Sequence, residues 1–149
     1  MTLLTSPDHD TPVYVSLRKN SNTQFDFFQF LCDAISDGYI VSGDYVILDN
    51  ASVHKGRYIR EHLHTLMETY DFKLIFLPTY SPELNPCELV FNVVKNFMRE
   101  CKDENVDFRD AIVEAFAQID IDKMLSFYLH AQNNTIALNW QFLENMPEE

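Results

Sequence analysis

DYVILDN, residues 44–50, carries an uninterrupted apolar run, Val46, Ile47 and Leu48, closed by Asp49 and Asn50. A run this short suits a strand buried on both faces, as in a sheet covered by helices. It sets Asp49 at the carboxyl end of the strand, where open α/β sheets carry their chemistry. A second such run, KLIFLP at 73–78, is closed by Pro78. Between them, residues 56–70 read as a helix with Ile59, Leu63, Leu66, Met67 and Tyr70 on one face. Upstream, PVYVSLRKN (12–20) alternates Val13, Val15 and Leu17 with Tyr14 and Ser16, the period of a half-buried strand. SNTQFDFFQFLCDAISDGY (21–39) offers Ser, Asn and Thr as helix caps and Gly38 as a stop. Its predicted apolar stripe is Phe25, Phe28, Leu31, Cys32 and Ile35.

Downstream, TYSPELNP (79–86) is a proline-punctuated loop, and Pro86 suits the first position of a helix. CELVFNVVKNFMRE continues that helix, with Val90, Val94, Phe97 and Met98 as its apolar face. Two further stripes follow, Phe108, Ile112, Ala115 and Phe116, then Ile121, Met124, Leu125 and Tyr128. The order β-α-β-α-β-α and then helices argues for an α/β sandwich.

The 149 residues suit one domain, 1–149, whose acidic 103–149 segment forms its C-terminal helices. An apolar content of 46% with 13% aromatics excludes intrinsic disorder. Three Gly and six Pro exclude collagen-like and linker-dominated chains. No window approaches the ~18 apolar residues of a transmembrane helix, and MTLLTSPDHD lacks the regions of a signal peptide. Cys32, Cys87 and Cys101 form no CxxC pair, which excludes a zinc knuckle or redox motif and fits reduced, intracellular thiols.

The net charge of -12 argues against tight binding of nucleic acid by the chain as a whole. Its distribution is uneven. Residues 49–102 carry seven basic and seven acidic groups, residues 1–48 two and six, and residues 103–149 two and ten. The balanced middle third is where a polyanion would be met.

Two carboxylates stand out by position. Asp49 ends a strand, and Glu88 falls in the first turn of a helix behind a proline-rich loop. Carboxylates on rigid elements suit Mg²⁺ or Mn²⁺, hard cations that take oxygen ligands and keep several waters. The alternative is structural: an Asp at a strand end forms turns, and a first-turn Glu complements the helix dipole.

LDNASVHKGRYIREHL (48–63) followed by LIFLPTYSPELNPCELVFNVVK (74–95) resembles the mariner-type and insertion-sequence DDE superfamily endonucleases. Asp49 matches the second catalytic acid of these transposases and Glu88 the third, with residues 50–87 between them. Glu83 and Phe91 depart from the family's usual Asp and Trp. The resemblance implies a ribonuclease H-like, retroviral integrase-type α/β sandwich with a mixed sheet and flanking helices. It implies metal-dependent phosphodiester cleavage and strand transfer in DNA transposition. Asp49 and Glu88 would hold Mg²⁺ or Mn²⁺; the partners would be transposon-end DNA and a second copy of the chain, with no membrane and no small-molecule cofactor. The location would be the nucleus in a eukaryote, or the cytoplasm or nucleoid in a bacterium.

The family's first catalytic Asp lies on the first strand of its sheet. That strand, and a helix-turn-helix module, are expected upstream of residue 1, so the chain alone is expected to cut weakly or not at all. Asp8 and Asp10 lie in SPDHDTP, with no buried strand expected before them. The rival class is an inactive transposon remnant that binds nucleic acid or protein.

Around the two acids, Asn50, His54, Lys55, Arg57, Pro82 and Asn85 are candidates to contact nucleic acid or to support the metal ligands. His54 either meets a phosphate or organises its loop. Lys55, Arg57 and Arg60 either position phosphates or form one polar helix face. His62 and His64 are two apart, do not share a helix face, and read as exposed. Pro82 and Pro86 orient Glu88, and Cys87 reads as a small apolar filler.

Overall fold

The computed structural model describes the backbone of residues 1–101 and 107–144 and the side chains as far as Asn134. The chain forms two compact units, Met1–Leu4 with Tyr14–Ser81, and Thr5–Val13 with Pro82–Glu149. Of the acidic segment, residues 103–106 and 145–149 lie outside the described residues.

The first unit is built around helix α1, Gln24–Ser36. Thr23 caps it with a complete capping box: the Thr23 hydroxyl accepts from Asp26 N–H, and the Asp26 carboxylate accepts from Thr23 N–H at 2.9 Å. The buried face is Phe27, Phe30, Leu31 and Ala34, rotated from the expected stripe. Four phenylalanines in six positions allow two stripes, and the structure buries the one away from Phe25, which is 60% exposed. Phe28 and Ile35 pack at the margin of the core.

Strand β1 (Thr2–Thr5) pairs with β2 (Val13–Ser16), and β3 (Tyr45–Leu48) pairs in parallel with β4 (Lys73–Phe76), in register Tyr45 to Lys73 and Leu48 to Phe76. A strand does precede SPDHDTP, and its Leu3 is buried. Four residues, TLLT, are too few to show a period. The β3 and β4 strands are not buried on both faces. Val46 and Leu48 point into the core, whereas Tyr45, Ile47 and Ile75 are exposed. A continuous apolar run has no alternation from which to read which face is covered. The sheets are also two pairs rather than one mixed sheet.

Helix α2 spans Arg60–Tyr70, four residues later than the expected start: Gly56, which follows the 3₁₀ turn Ser52–Lys55, is non-helical (ψ 130°), and Tyr58 N–H bonds the Gln24 side chain. It ends at Asp71 in the left-handed region (φ 53°). The Asp71 carboxylate accepts from the Ser42 hydroxyl at 2.8 Å, and its carbonyl from Gly43 N–H at 2.6 Å. Phe27, Leu31, Val46, Leu48, Ile59 and Leu63 meet in the core of this unit.

The second unit is helical: α3 (Pro86–Glu100), α4 (Phe108–Ala117) and α5 (Ile121–Glu144). Val90, Val94, Ala111, Ile112, Ala115 and Met124 are buried. The Tyr128 hydroxyl donates to the Thr5 carbonyl at 2.7 Å. Among the described residues no helix is long and apolar enough to cross a membrane.

Tyr14 shows how burial sets a titration in this fold. Its ring lies 5.5 Å from Phe30 and 5.2 Å from Tyr39 by centroids, and its hydroxyl donates to the Asp37 carboxylate at 2.6 Å. Desolvation, then the hydrogen bond and negative charge of Asp37, push its pKa up to about 12 from 10.0. The unfolded chain therefore ionises Tyr14 before the folded chain does. The contribution is whole below pH 10 and is lost as pH rises toward about 12. Urea unfolding across that window is expected to show a smaller alkaline loss in Tyr14→Phe than in the native chain. Asp26 acts at the opposite end of the scale. Hydrogen bonds from Thr23, helped by Arg18, hold its carboxyl below the usual range. Its contribution is present above the ordinary carboxylate pKa and is lost as pH falls through the lowered one.

Candidate functional site

Asp49 follows the last residue of β3, and the chain then turns through Asn50 and Ala51 into the 3₁₀ turn. The turn is fastened to the strand end by two side-chain pairs, each five residues apart. Asp49 Oδ1 lies 2.9 Å from His54 Nδ1 and accepts from Ala51 N–H at 2.9 Å. With its proton on Nδ1, His54 also reaches the Asp49 carbonyl at 3.4 Å. Asn50 donates to the Leu77 carbonyl beyond β4 and accepts from the Lys55 ammonium. Lys55 in turn stands 4.9 Å over the centroid of the Phe76 ring.

The two members of the first pair differ in exposure. The Asp49 side chain is 49% exposed and that of His54 is 16% exposed. The His54 ring packs on Phe27 at 4.4 Å between centroids. His54 therefore organises its loop, the carboxylate reaches solvent, and its rotation is restrained by two donors on one oxygen. Arg57 and Arg60 are exposed. His62 and His64 are exposed as expected, and His64 pairs with Glu68 at 3.3 Å.

Glu88 is held by a different construction in the second unit. Pro82–Leu84 forms a 3₁₀ turn, and the Glu83 carbonyl accepts from the Asn134 amide at 3.0 Å. Asn85 caps α3 by accepting from Cys87 N–H at 3.1 Å, and its carbonyl accepts from Glu88 N–H at 3.0 Å. Pro86 occupies the first turn with φ pre-set for the helix. Glu88 is thus fixed in the first turn and is partly exposed. Cys87 is no mere filler, since its thiol lies 3.7 Å from the Thr5 hydroxyl.

Asp49, Asn50, His54 and Lys55 are brought together in the first unit; Pro82, Asn85 and Glu88 are brought together in the second. Among the described residues no group of three or more His, Cys, Asp or Glu is gathered as a metal cluster. Taken singly, each acid is of the type a hard cation takes. Both acids are carboxylates with access to solvent, and a Mg²⁺ ion is commonly held by one or two carboxylates with waters filling the remaining positions.

Gln24 is a supporting residue that sequence reasoning missed. Its side chain accepts from Tyr58 N–H at 3.2 Å, fastening α1 to the segment after the 3₁₀ turn. A contact between residues 34 apart leaves no local signal. Gly56 makes room for it: a Cβ there would lie 1.9 Å from Gln24 Oε1 and 2.6 Å from Gln24 Cβ. Gly56→Ala is expected to destabilise the chain by about 1–3 kcal/mol, as overpacking does. Thermal unfolding measures this, and a second substitution, Gln24→Ala, is expected to recover part of the loss.

Comparison with known families gives one match. A family model described as DDE superfamily endonuclease matches residues 1–112, a span that contains both acids and both supporting loops. No curated protein and no solved structure matches the chain.

Proposed function

This chain belongs to the DDE superfamily endonucleases, and from that premise we propose that it acts in metal-dependent cleavage and strand transfer of DNA, as a transposase catalytic domain. The observation that carries the reading is the placement of Asp49 at a strand end and Glu88 in a helix first turn, both within the matched span. The finer reading is a mariner-type or insertion-sequence enzyme with a ribonuclease H-like core. It would act on transposon ends as a homodimer, in the nucleus if the source is a eukaryote.

Asp49 and Glu88 would hold Mg²⁺ or Mn²⁺. Bound there, such an ion would supply Lewis-acid polarisation of the scissile phosphate. The chain's own residues set the frame. Ala51 N–H and His54 restrain Asp49, so its carboxylate need not reorganise when it takes up a charge. Asn85 and Pro86 restrain Glu88 through the start of α3. Lys55 and Arg57 supply positive charge for backbone phosphates, contacts that position DNA without reading its sequence.

Metal affinity is the direct test. Mn²⁺ binding, followed by water-proton relaxation, is expected to weaken about tenfold or more in Glu88→Gln, the loss of one charged ligand. An unchanged affinity would remove Glu88 from the site. The fold is expected to survive, because a first-turn acid contributes only about 0.3–1 kcal/mol. A non-cleaving binding module is the second reading, favoured by the net charge of -12. No DNA binding even at low salt, with no nicking of plasmid in Mn²⁺, would select it, whereas an affinity that falls steeply with salt would favour real phosphate contacts.

A further inference from the structure

The first unit holds a cavity of about 350 Å³ beside α2. Leu63, Met67, Leu74 and Phe76 make an apolar floor, while Lys55 and Arg60 supply cations at its wall. Among the described residues no Asp or Glu lines it, in a chain that has 23 of them.

Among the described residues neither cation has an acidic partner: the base–carboxylate contacts there join Arg18 to Asp26, His54 to Asp49 and His64 to Glu68. Lys55 bonds only the neutral amide of Asn50 and overhangs the Phe76 ring. Arg60 opens α2, whose N-cap residue Ile59 offers no side-chain acceptor to the first-turn N–H groups. Glu61 in that turn offsets part of the positive end, yet it does not line the cavity. His54 lines the cavity and also meets Asp49 through Nδ1, so an occupant would lie one side chain away from that carboxylate.

We propose that this cavity binds one nucleotide unit, its base on the Phe76, Met67 and Leu74 floor and its phosphate between Lys55 and Arg60. Unpaired cations call for an anion, and the apolar aromatic floor calls for a flat body attached to it. Bases stack on aromatic side chains whatever their sequence. The volume lies at the low end of the ~300–1,000 Å³ of small-molecule sites, which suits one nucleotide and excludes a duplex. A free nucleotide and an unpaired residue of a DNA strand both present this chemistry. The inference rests on the reading of the chain as a protein that acts on DNA, and it adds where an unstacked nucleotide sits.

The test is titration of the 149-residue chain with thymidine 5′-monophosphate, a short oligothymidylate, the matching duplex and inorganic phosphate. The nucleotide or the oligothymidylate is expected to bind about tenfold or more tightly than inorganic phosphate, the base adding its stacking. Arg60→Glu and the cavity-filling Met67→Trp are each expected to cut that affinity about tenfold or more. Arg60 is exposed, so Arg60→Glu keeps the fold even if Met67→Trp does not. Equal binding of the two forms identifies a free nucleotide as the source; much tighter binding of the oligothymidylate identifies a strand. Binding no better than that of inorganic phosphate, or unaltered in Arg60→Glu, overturns the proposal. Mn²⁺ affinity, measured in the same samples, is expected to be unchanged in Arg60→Glu. Its sensitivity to Glu88→Gln tests the metal reading separately, so either idea can fail without the other.

Discussion

Whatever metal-dependent nicking the native chain shows, Asp49→Asn is expected to lower it by about 10³-fold while leaving the melting temperature nearly unchanged. Removing one anchoring carboxylate forfeits transition-state charge stabilisation of several kcal/mol, and about 4 kcal/mol corresponds to a factor of about 10³. Stability is spared for two reasons. The side chain is 49% exposed, and its pairing with His54 is of the surface kind, worth about 0–1 kcal/mol. The substituted amide also keeps an oxygen to accept from Ala51 N–H. Plasmid nicking in Mn²⁺ and thermal unfolding of the same samples check both halves. A variant that nicks as the native chain does would end the assignment of Asp49. A variant that melts far lower would make it a structural residue instead.

The largest effect on stability is expected at Leu31. Its side chain is fully buried, in the cluster that also holds Phe27, Leu48, Ile59 and Leu63. Leu31→Ala removes three carbons from a site closed on every side, so the cavity penalty adds to the transfer term, about 2–5 kcal/mol together. That is a large part of the ~5–15 kcal/mol by which natural domains are stable. Urea unfolding should show a lower midpoint with a similar slope. Phe25→Ala on the same helix is the control. Phe25 is 60% exposed, and the change is expected to stay within about 0.5 kcal/mol despite removing the larger side chain. If Phe25→Ala proved the costlier substitution, the helix would be burying the other stripe.

The helices were legible because their signals are local. Thr23 and Asp26 announce the start of α1 within four residues, and Asn85-Pro86 announces α3 in two. The element ends at which Asp49 and Glu88 stand were legible by the same route, since each is marked by its own neighbours. Failures came where distant residues decide. The stripe on α1 was misassigned because Phe25, Phe27, Phe28 and Phe30 are chemically equivalent until the surrounding core chooses among them. Helix α2 starts late because Gly56 is non-helical and Tyr58 N–H is bonded to the Gln24 side chain. Propensity does not record that tie. Gln24 and Gly56 meet only after folding. Strand β1 was too short to carry a pattern.

The uncovered apolar residues on β3 and β4 bear on how the protein behaves at high concentration. Tyr45, Ile47 and Ile75 lie outward on a two-stranded sheet, and among the described residues each of its strands has a neighbour on only one side. Backbone groups along such an edge can pair with a strand of another molecule. What opposes this near neutral pH is mutual repulsion between copies that each carry a net charge of -12. Near the isoelectric point, about 4.6, that repulsion disappears. Acidification should therefore cause precipitation through these strands before it causes unfolding, and handling above neutral pH in modest salt should keep the chains apart.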